Sequence, residues 1–337
     1  MSATPTPDTG ASREPLPPPA SGPPDLEVRT GSFRPSHLIP FVPALVPTAL
    51  LIAIVVELLI SSKFTNFGLA FWGPHWIPSP STGAPTFGIA VFITGSFLTA
   101  IPALLLALLI GIGIAVASTS YLPRWLTRWL DPFVDLLAGI PSIVYGIWGY
   151  LLVAPFFGTV INPVIYHNFH WVPGFGAPAP AVEGVGLPVA IFILMLMALP
   201  ITTLLIRDAL RAVPRDLWEA GLGLGATRWE TTRRVAIPYA MRGIVSAGFL
   251  GFGRAFGETV MVAMVLNVVP AFPLNFYSGT STMAAEMFTQ LDSAYGNGQF
   301  LAALSEMALV LLAISLVVNI VGRRLISRFA TYDVPGL

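Results

Sequence analysis

The chain has 337 residues, of which 55% are hydrophobic and 10% charged, with 17 basic residues balanced by 17 acidic ones. Such an apolar composition excludes an ordinary soluble globule, and the absence of cysteine excludes disulfides and thiolate metal sites. What remains is an all-α polytopic membrane protein.

Residues 1–37 are rich in Pro, Ser, Thr and Gly, including Pro17-Pro18-Pro19 and Pro23-Pro24, with too few large apolar groups to offset the entropy of ordering. They are read as a disordered, Pro-rich cytoplasmic tail. A secretory leader is the poorer reading, because the first apolar run starts near residue 38 and is long enough to span. The membrane domain is then 38–337.

Six stretches, near 40–60, 90–117, 133–156, 187–206, 239–268 and 299–321, have the length needed to cross a hydrocarbon layer of roughly 30 Å. With the amino terminus inside, every basic residue except Lys63 and Arg254 falls on the cytoplasmic side, so both termini are expected there. Trp72, Trp76, Trp125, Trp129 and Trp171 lie near predicted span ends, as interfacial anchors do. The outer segments, about 61–89, 157–186 and 269–298, read as loops long enough to form a docking surface. His167 and His170 sit in the second, but without a third ligand they are read as solvated loop histidines and no metal site is assigned.

Residues 207–238 form the one long polar run between spans. Pro214 can open a short helix carrying Leu217, Trp218 and Ala220, because the first turn leaves its N–H without a partner anyway. Gly221, Gly223 and Gly225 weaken that helix. Thr227 and Glu230 have the spacing of a capping box, so a second helix should begin there, and Pro238 should bend the chain into the next span. The expected unit is an amphipathic helix-turn-helix on the cytoplasmic face.

Ionisable groups inside spans cost roughly 2.5–3.5 kcal/mol each at mid-membrane and persist where they are paired or useful. The candidates are Glu57, Asp135, Arg254, Glu258 and Glu306. Asp135 and Glu57 lie close enough to span ends to reach interfacial water. Within Gly251-Phe-Gly-Arg-Ala-Phe-Gly-Glu-Thr259, a continuous helix would put Arg254 and Glu258 on one face, while Gly253 and Gly257 at the same interval let another helix approach. Arg254 is expected to face the substrate pathway, with Glu258 holding its guanidinium; Glu306 is assigned to the same pathway, the competing reading being a structural ion pair that stitches two spans together through it. The glycines have the wrong spacing for a nucleotide loop and no strand before them. In the third span, Pro141 should free a backbone carbonyl near Ser142, which makes Ser142 a pathway candidate.

The 215–238 run resembles the EAA loop of ABC-transporter permeases: Glu219, Ala220 and Gly221, then Gly225, then Val235, Ile237 and Pro238. It departs from that pattern by Gly for the third-position Ala and by two aliphatic exchanges. Gly139-Ile-Pro-Ser-Ile-Val-Tyr-Gly-Ile-Trp-Gly149 and Gly253-Arg-Ala-Phe-Gly-Glu-Thr259 look like the signature stretches of the phosphate-importing permease family, PstC. The sister family PstA shares the Gly-Glu-Thr and Pro-Ser-Ile-Val features; Gly-Arg-Ala with Met-Val-Ala-Met after Thr259 favours the PstC type.

The resemblance implies a six-helix MetI-like permease in a bacterial cytoplasmic membrane, moving inorganic phosphate by alternating access. It implies a PstA-like permease as heterodimer partner, a PstB-like ATPase dimer and an external phosphate-binding protein. It further implies that Trp218, Glu219, Ala220, Gly221, Gly225 and Pro238 serve ATPase coupling. No cofactor is expected in this chain: ATP and Mg²⁺ would be bound by the partner ATPase, and nothing points to nucleic acid. Permeases for another small oxyanion stay open as an alternative. An ion-coupled secondary transporter would be expected to have more spans and inverted repeats. An intramembrane enzyme would need a convergent nucleophile and base, yet His37, His75, His167 and His170 all lie outside the predicted spans.

Overall fold

The computed structural model describes residues 41–64, 66–79, 84–176, 181–266, 268–272, 275–277 and 279–328. The expected tail and the carboxyl-terminal residues lie outside these. The chain divides into two units, 1–51 and 52–337. Of the first, the described part is the opening of helix α1 (Phe41–Ser62), whose side chains from Leu45 to Leu51 are exposed.

Within the second unit, α1 ends and is followed by a short antiparallel pairing of β1 (Trp76–Ile77) with β2 (Thr86–Phe87). The pairing puts Trp76 and Phe87 against Phe92 and Phe300, an aromatic cluster that closes this end of the molecule. Helices α2 (Ala90–Tyr121), α3 (Arg124–Ala138), α4 (Ser142–Phe169), α5 (Leu187–Arg211), α6 (Arg215–Gly223), α7 (Arg228–Phe256), α8 (Val260–Val265), α9 (Met283–Ala294) and α10 (Gly298–Arg328) follow. Six helices among the described residues are long and apolar enough to cross a membrane: α1, α2, α4, α5, α7 and α10.

The core is the α2–α5–α7 triplet, with α5 at its centre. Lipid offers no hydrophobic drive for one apolar helix to prefer another, so close packing has to do it. The buried face of α2 is accordingly built on Gly95, Ser96, Thr99, Ala100, Ala103, Ala107 and Gly111, most of them three or four residues apart. A Cβ on Gly111 would sit 3.1 Å from Thr203 Oγ1, and one on Gly251 of α7 would sit 2.7 Å from Thr202 Cγ2. Small residues thus set the interaxial distances on both sides of α5.

Three sequence expectations are corrected. The third span does not begin near residue 133: Arg124–Ala138 is a separate amphipathic helix, and the span starts after Pro141 and runs out to Phe169 through π turns at Gly149–Val153 and Phe157–Ile161. Part of the supposed second outer loop, His167 included, is therefore helical. The fifth span ends at Phe256 and does not reach residue 268. Finally, Pro238 does not separate two helices: α7 runs through it continuously from Arg228. A π turn at Thr232–Ala236 precedes Pro238 and widens the ladder where its missing N–H would otherwise leave a gap.

Candidate functional site: a capped hairpin, an arginine corner and a broken helix

The polar run folds as the sequence proposes, into two helices with a tight turn. Leu217 and Trp218 of α6 turn inward onto a cluster that includes Ile206, Leu210 and Ala240, so Trp218 anchors the hairpin. Glu219 and Ala220 face out, and Leu224 at the tip is 90% exposed. The helix ends in a Schellman motif: Ala226 N donates to Gly221 O (3.2 Å) and Gly225 N donates to Leu222 O (3.0 Å), with Gly225 at φ +83°. The capping box is formed, Thr227 N donating to Glu230 Oε2 at 2.8 Å and Glu230 N to Thr227 Oγ1 at 3.3 Å. Gly221 has a separate reason to lack a side chain, since its Cβ would lie 2.8 Å from Thr231 Cγ2 on the second helix.

Beneath this hairpin is a cluster that sequence reasoning missed. Arg207 on the last turns of α5 is 6% exposed and pairs with Asp131 (2.9 Å) and Asp135 (3.3 Å) of α3, while Arg211 pairs with the other Asp131 oxygen at 2.6 Å. Asp135 is thus a ligand of a buried arginine on an amphipathic helix, not a group inside a span. The available signal was the i, i+4 spacing of Asp131 and Asp135 facing Arg207 and Arg211 at the same spacing. The cluster ties α3, and through it the entry to α4, to the stretch of chain that leads into the hairpin.

The third part is the break after α7. Because the helix stops at Phe256 and α8 starts at Val260, Arg254 and Glu258 do not share a helix face. Arg254 is exposed and, among the described residues, forms no ion pair with Glu258 or another acid. Glu258 instead turns to the start of α8, its Oε1 accepting from Met261 N at 3.4 Å. Gly253 has open space where a Cβ would be, so its exposed face is not used by a neighbour among the described residues.

The structure brings the first signature stretch against the helix that follows the second. A Cβ on Gly146 would meet Met264 Sδ at 2.8 Å and Met261 Cα at 3.2 Å, and one on Gly149 would meet Val265 at 3.1 Å, so α4 lies directly against α8. Arg254 is within electrostatic reach of Tyr145 on α4. Ser142 is half-buried as the first residue of α4. Pro141 precedes the helix instead of kinking it, and the carbonyl expected to be free is not: Leu137 O accepts from the Tyr145 hydroxyl at 3.0 Å.

Glu306 lies on α10. It is fully buried, and its Oε1 accepts from Asn66 N at 3.2 Å, facing the segment after α1. His170 Nδ1 lies 3.1 Å from the carbonyl of His167, and no three His, Asp or Glu residues converge as a metal cluster among the described residues.

The site is thus a membrane-type helical core with a capped polar hairpin and a broken helix. The fold matches a chain of the MetNI methionine ABC transporter in an inward-facing conformation (TM-score 0.52, 19% identity, 69% of this chain and 92% of that one). It also matches a bacterial alginate ABC transporter (TM-score 0.55, 15% identity, 87% and 96%). Residues 107–331 match the family described as the binding-protein-dependent transport system inner membrane component. Curated relatives include the phosphate transport system permease protein PstC of Mesorhizobium japonicum, 35% identical over 78% of this chain and 80% of that protein. PstC 1 of Mycobacterium tuberculosis is 37% identical over 74% and 75%. The chain belongs to this family of binding-protein-dependent permeases, in its PstC branch.

Proposed function

We propose that the chain is the permease subunit of an ATP-driven phosphate importer working by alternating access. The observation that carries this is the hairpin: a rigid, capped turn that exposes Glu219, Ala220 and a nearly bare Leu224 while Trp218 roots it in the membrane core. Such a device fits a surface that receives force from another protein. Both termini and the hairpin lie in the cytoplasm on this reading, supported by the distribution of arginines.

The partners are a PstA-like permease, a PstB-like ATPase dimer that binds ATP and Mg²⁺, and an external phosphate-binding protein. Hydrolysis then belongs to the ATPase, and this chain performs no catalysis. Arg254 offers phosphate a transient charge in the pathway, since a guanidinium stays ionised and matches phosphate oxygens in pairs. Its exposure, with no acid paired to it among the described residues, suits that role. Glu258, in the break and accepting from Met261 N at the start of α8, keeps a negative charge nearby to limit how long the anion is held. Ser142, on the helix packed against α8, adds a polar group to the same wall.

Purification through a tag on this chain, followed by mass spectrometry, tests the assembly. Recovery of an ATPase, a second permease and no nucleotide bound to this chain alone is expected. Recovery of a lone oligomer of this chain would overturn the reading.

A further inference from the structure

Helix α3 has one face bound to α5 through Asp131 and Asp135, and another that no described residue of this chain covers. Trp125, Trp129, Phe133 and Leu136 follow at intervals of four, four and three, and each is at least 60% exposed. A helix of 15 residues with a bare aromatic stripe beside a charged face has the pattern of one that lies in a membrane interface. Arg124 and Arg128, one turn apart beside that stripe, are both solvent-accessible, and among the described residues neither has a carboxylate within 4.0 Å. They line a cavity of about 660 Å³ with Trp125, Thr127, Asp131 and Pro132. The one acid there, Asp131, is engaged by both Arg207 and Arg211, so four arginines face two aspartates and the local field is positive.

We propose that this cavity holds the headgroup phosphate of an anionic phospholipid from the cytoplasmic leaflet, gripped by Arg124 and Arg128, with Trp125 and Trp129 set among the upper acyl carbons. Basic pockets on the cytoplasmic side of membrane proteins select anionic headgroups by charge, and paired guanidinium donors suit phosphate oxygens. Tryptophan rings settle at that depth, apolar body inward and N–H toward the headgroups. The site rests on the orientation given under the proposed function, which puts α3 on the cytoplasmic side. A lipid bound here holds α3 at the membrane surface, and the Asp131–Arg207 pair passes that restraint to the base of the hairpin.

The test uses the assembled transporter in nanodiscs of phosphatidylcholine with and without phosphatidylglycerol, with retained lipid counted by native mass spectrometry. Arg124→Gln with Arg128→Gln should weaken phosphatidylglycerol retention about tenfold or more, while Arg323→Gln with Arg324→Gln, an exposed pair elsewhere, should not. Equal retention by wild type and the first double variant overturns the proposal, as a stripe covered by the partner permease would produce. So does equal loss in both variants, which is unspecific attraction, and so does displacement of the lipid by inorganic phosphate, which marks a free-anion site. Leu224→Cys, introduced into a chain without native cysteine, separates the underlying reading. Labelling by an impermeant maleimide from the cytoplasmic side upholds the orientation whatever the lipid does, and labelling from outside removes it.

Discussion

Replacing Gly225 by Val perturbs the hairpin through its backbone alone. Gly225 has φ +83°, and no atom lies within 4 Å of where a Cβ would stand, so no side-chain collision contributes. An L residue in the left-handed region costs roughly 1–2 kcal/mol, and a β-branched one sits at the upper end or beyond. About 2 kcal/mol shifts an equilibrium by roughly thirtyfold. That is enough to open the turn and release the two bonds of the Schellman motif, Ala226 to Gly221 and Gly225 to Leu222. The α6 helix stays anchored by Leu217 and Trp218, so insertion and assembly should survive. In proteoliposomes containing the full transporter, Gly225→Val should retain basal ATPase activity but import much less phosphate per ATP. Gly225→Asn, which tolerates a positive φ, should lose little. Equal coupling in the Val variant, the Asn variant and wild type would refute the reasoning.

Arg254→Gln, alone or with Glu258→Gln, should lower phosphate uptake without lowering assembly, because no ion pair among the described residues is broken; wild-type import by the double variant makes the pathway role wrong. Ser142→Ala should reduce uptake while the complex assembles normally, and unchanged transport would leave Ser142 a packing residue only. Asp131→Asn should lower the thermal midpoint, since it leaves buried Arg207 with Asp135 alone, a loss on the order of 3 kcal/mol; Asp135→Asn should cost less, its side chain being half-exposed. Burial raises the carboxyl of Glu286 on α9 above the ordinary carboxylate range, with Ser281 and Gln290 pulling the other way. A carboxyl with a raised folded-state value contributes its stability below the unfolded value and loses it as pH rises through the folded one. Glu286→Gln should therefore flatten the decline of thermal stability toward alkaline pH, and an unaltered pH profile would show that this group does not ionise in the accessible range.

Features set by neighbours in sequence were legible. The Thr227–Glu230 box and the Gly225 turn depend on contacts within five residues, and both form as the sequence suggests. The apolar spans were legible because length and hydropathy suffice to define them. The break after Phe256 was not, because an apolar stretch containing Gly253 and Gly257 reads as one helix until the packing of α8 on Gly146 is known. The Arg207–Asp131 pair joins residues 76 positions apart, a separation that no local period carries. Asp135 is misleading in sequence for a related reason: Pro141 reads as a kink inside a span, and the charged period of α3 before it then merges with that span. The contact that Glu306 makes was not legible either, since its Oε1 accepts from a backbone N–H brought in from residue 66.

The most direct measurement is uptake of labelled phosphate by proteoliposomes holding this chain with its partner permease and ATPase, supplied with the external binding protein. Uptake that requires ATP hydrolysis and the binding protein, and that persists when ionophores collapse all ion gradients, is the predicted result. Uptake that follows an ion gradient and ignores ATP would contradict it.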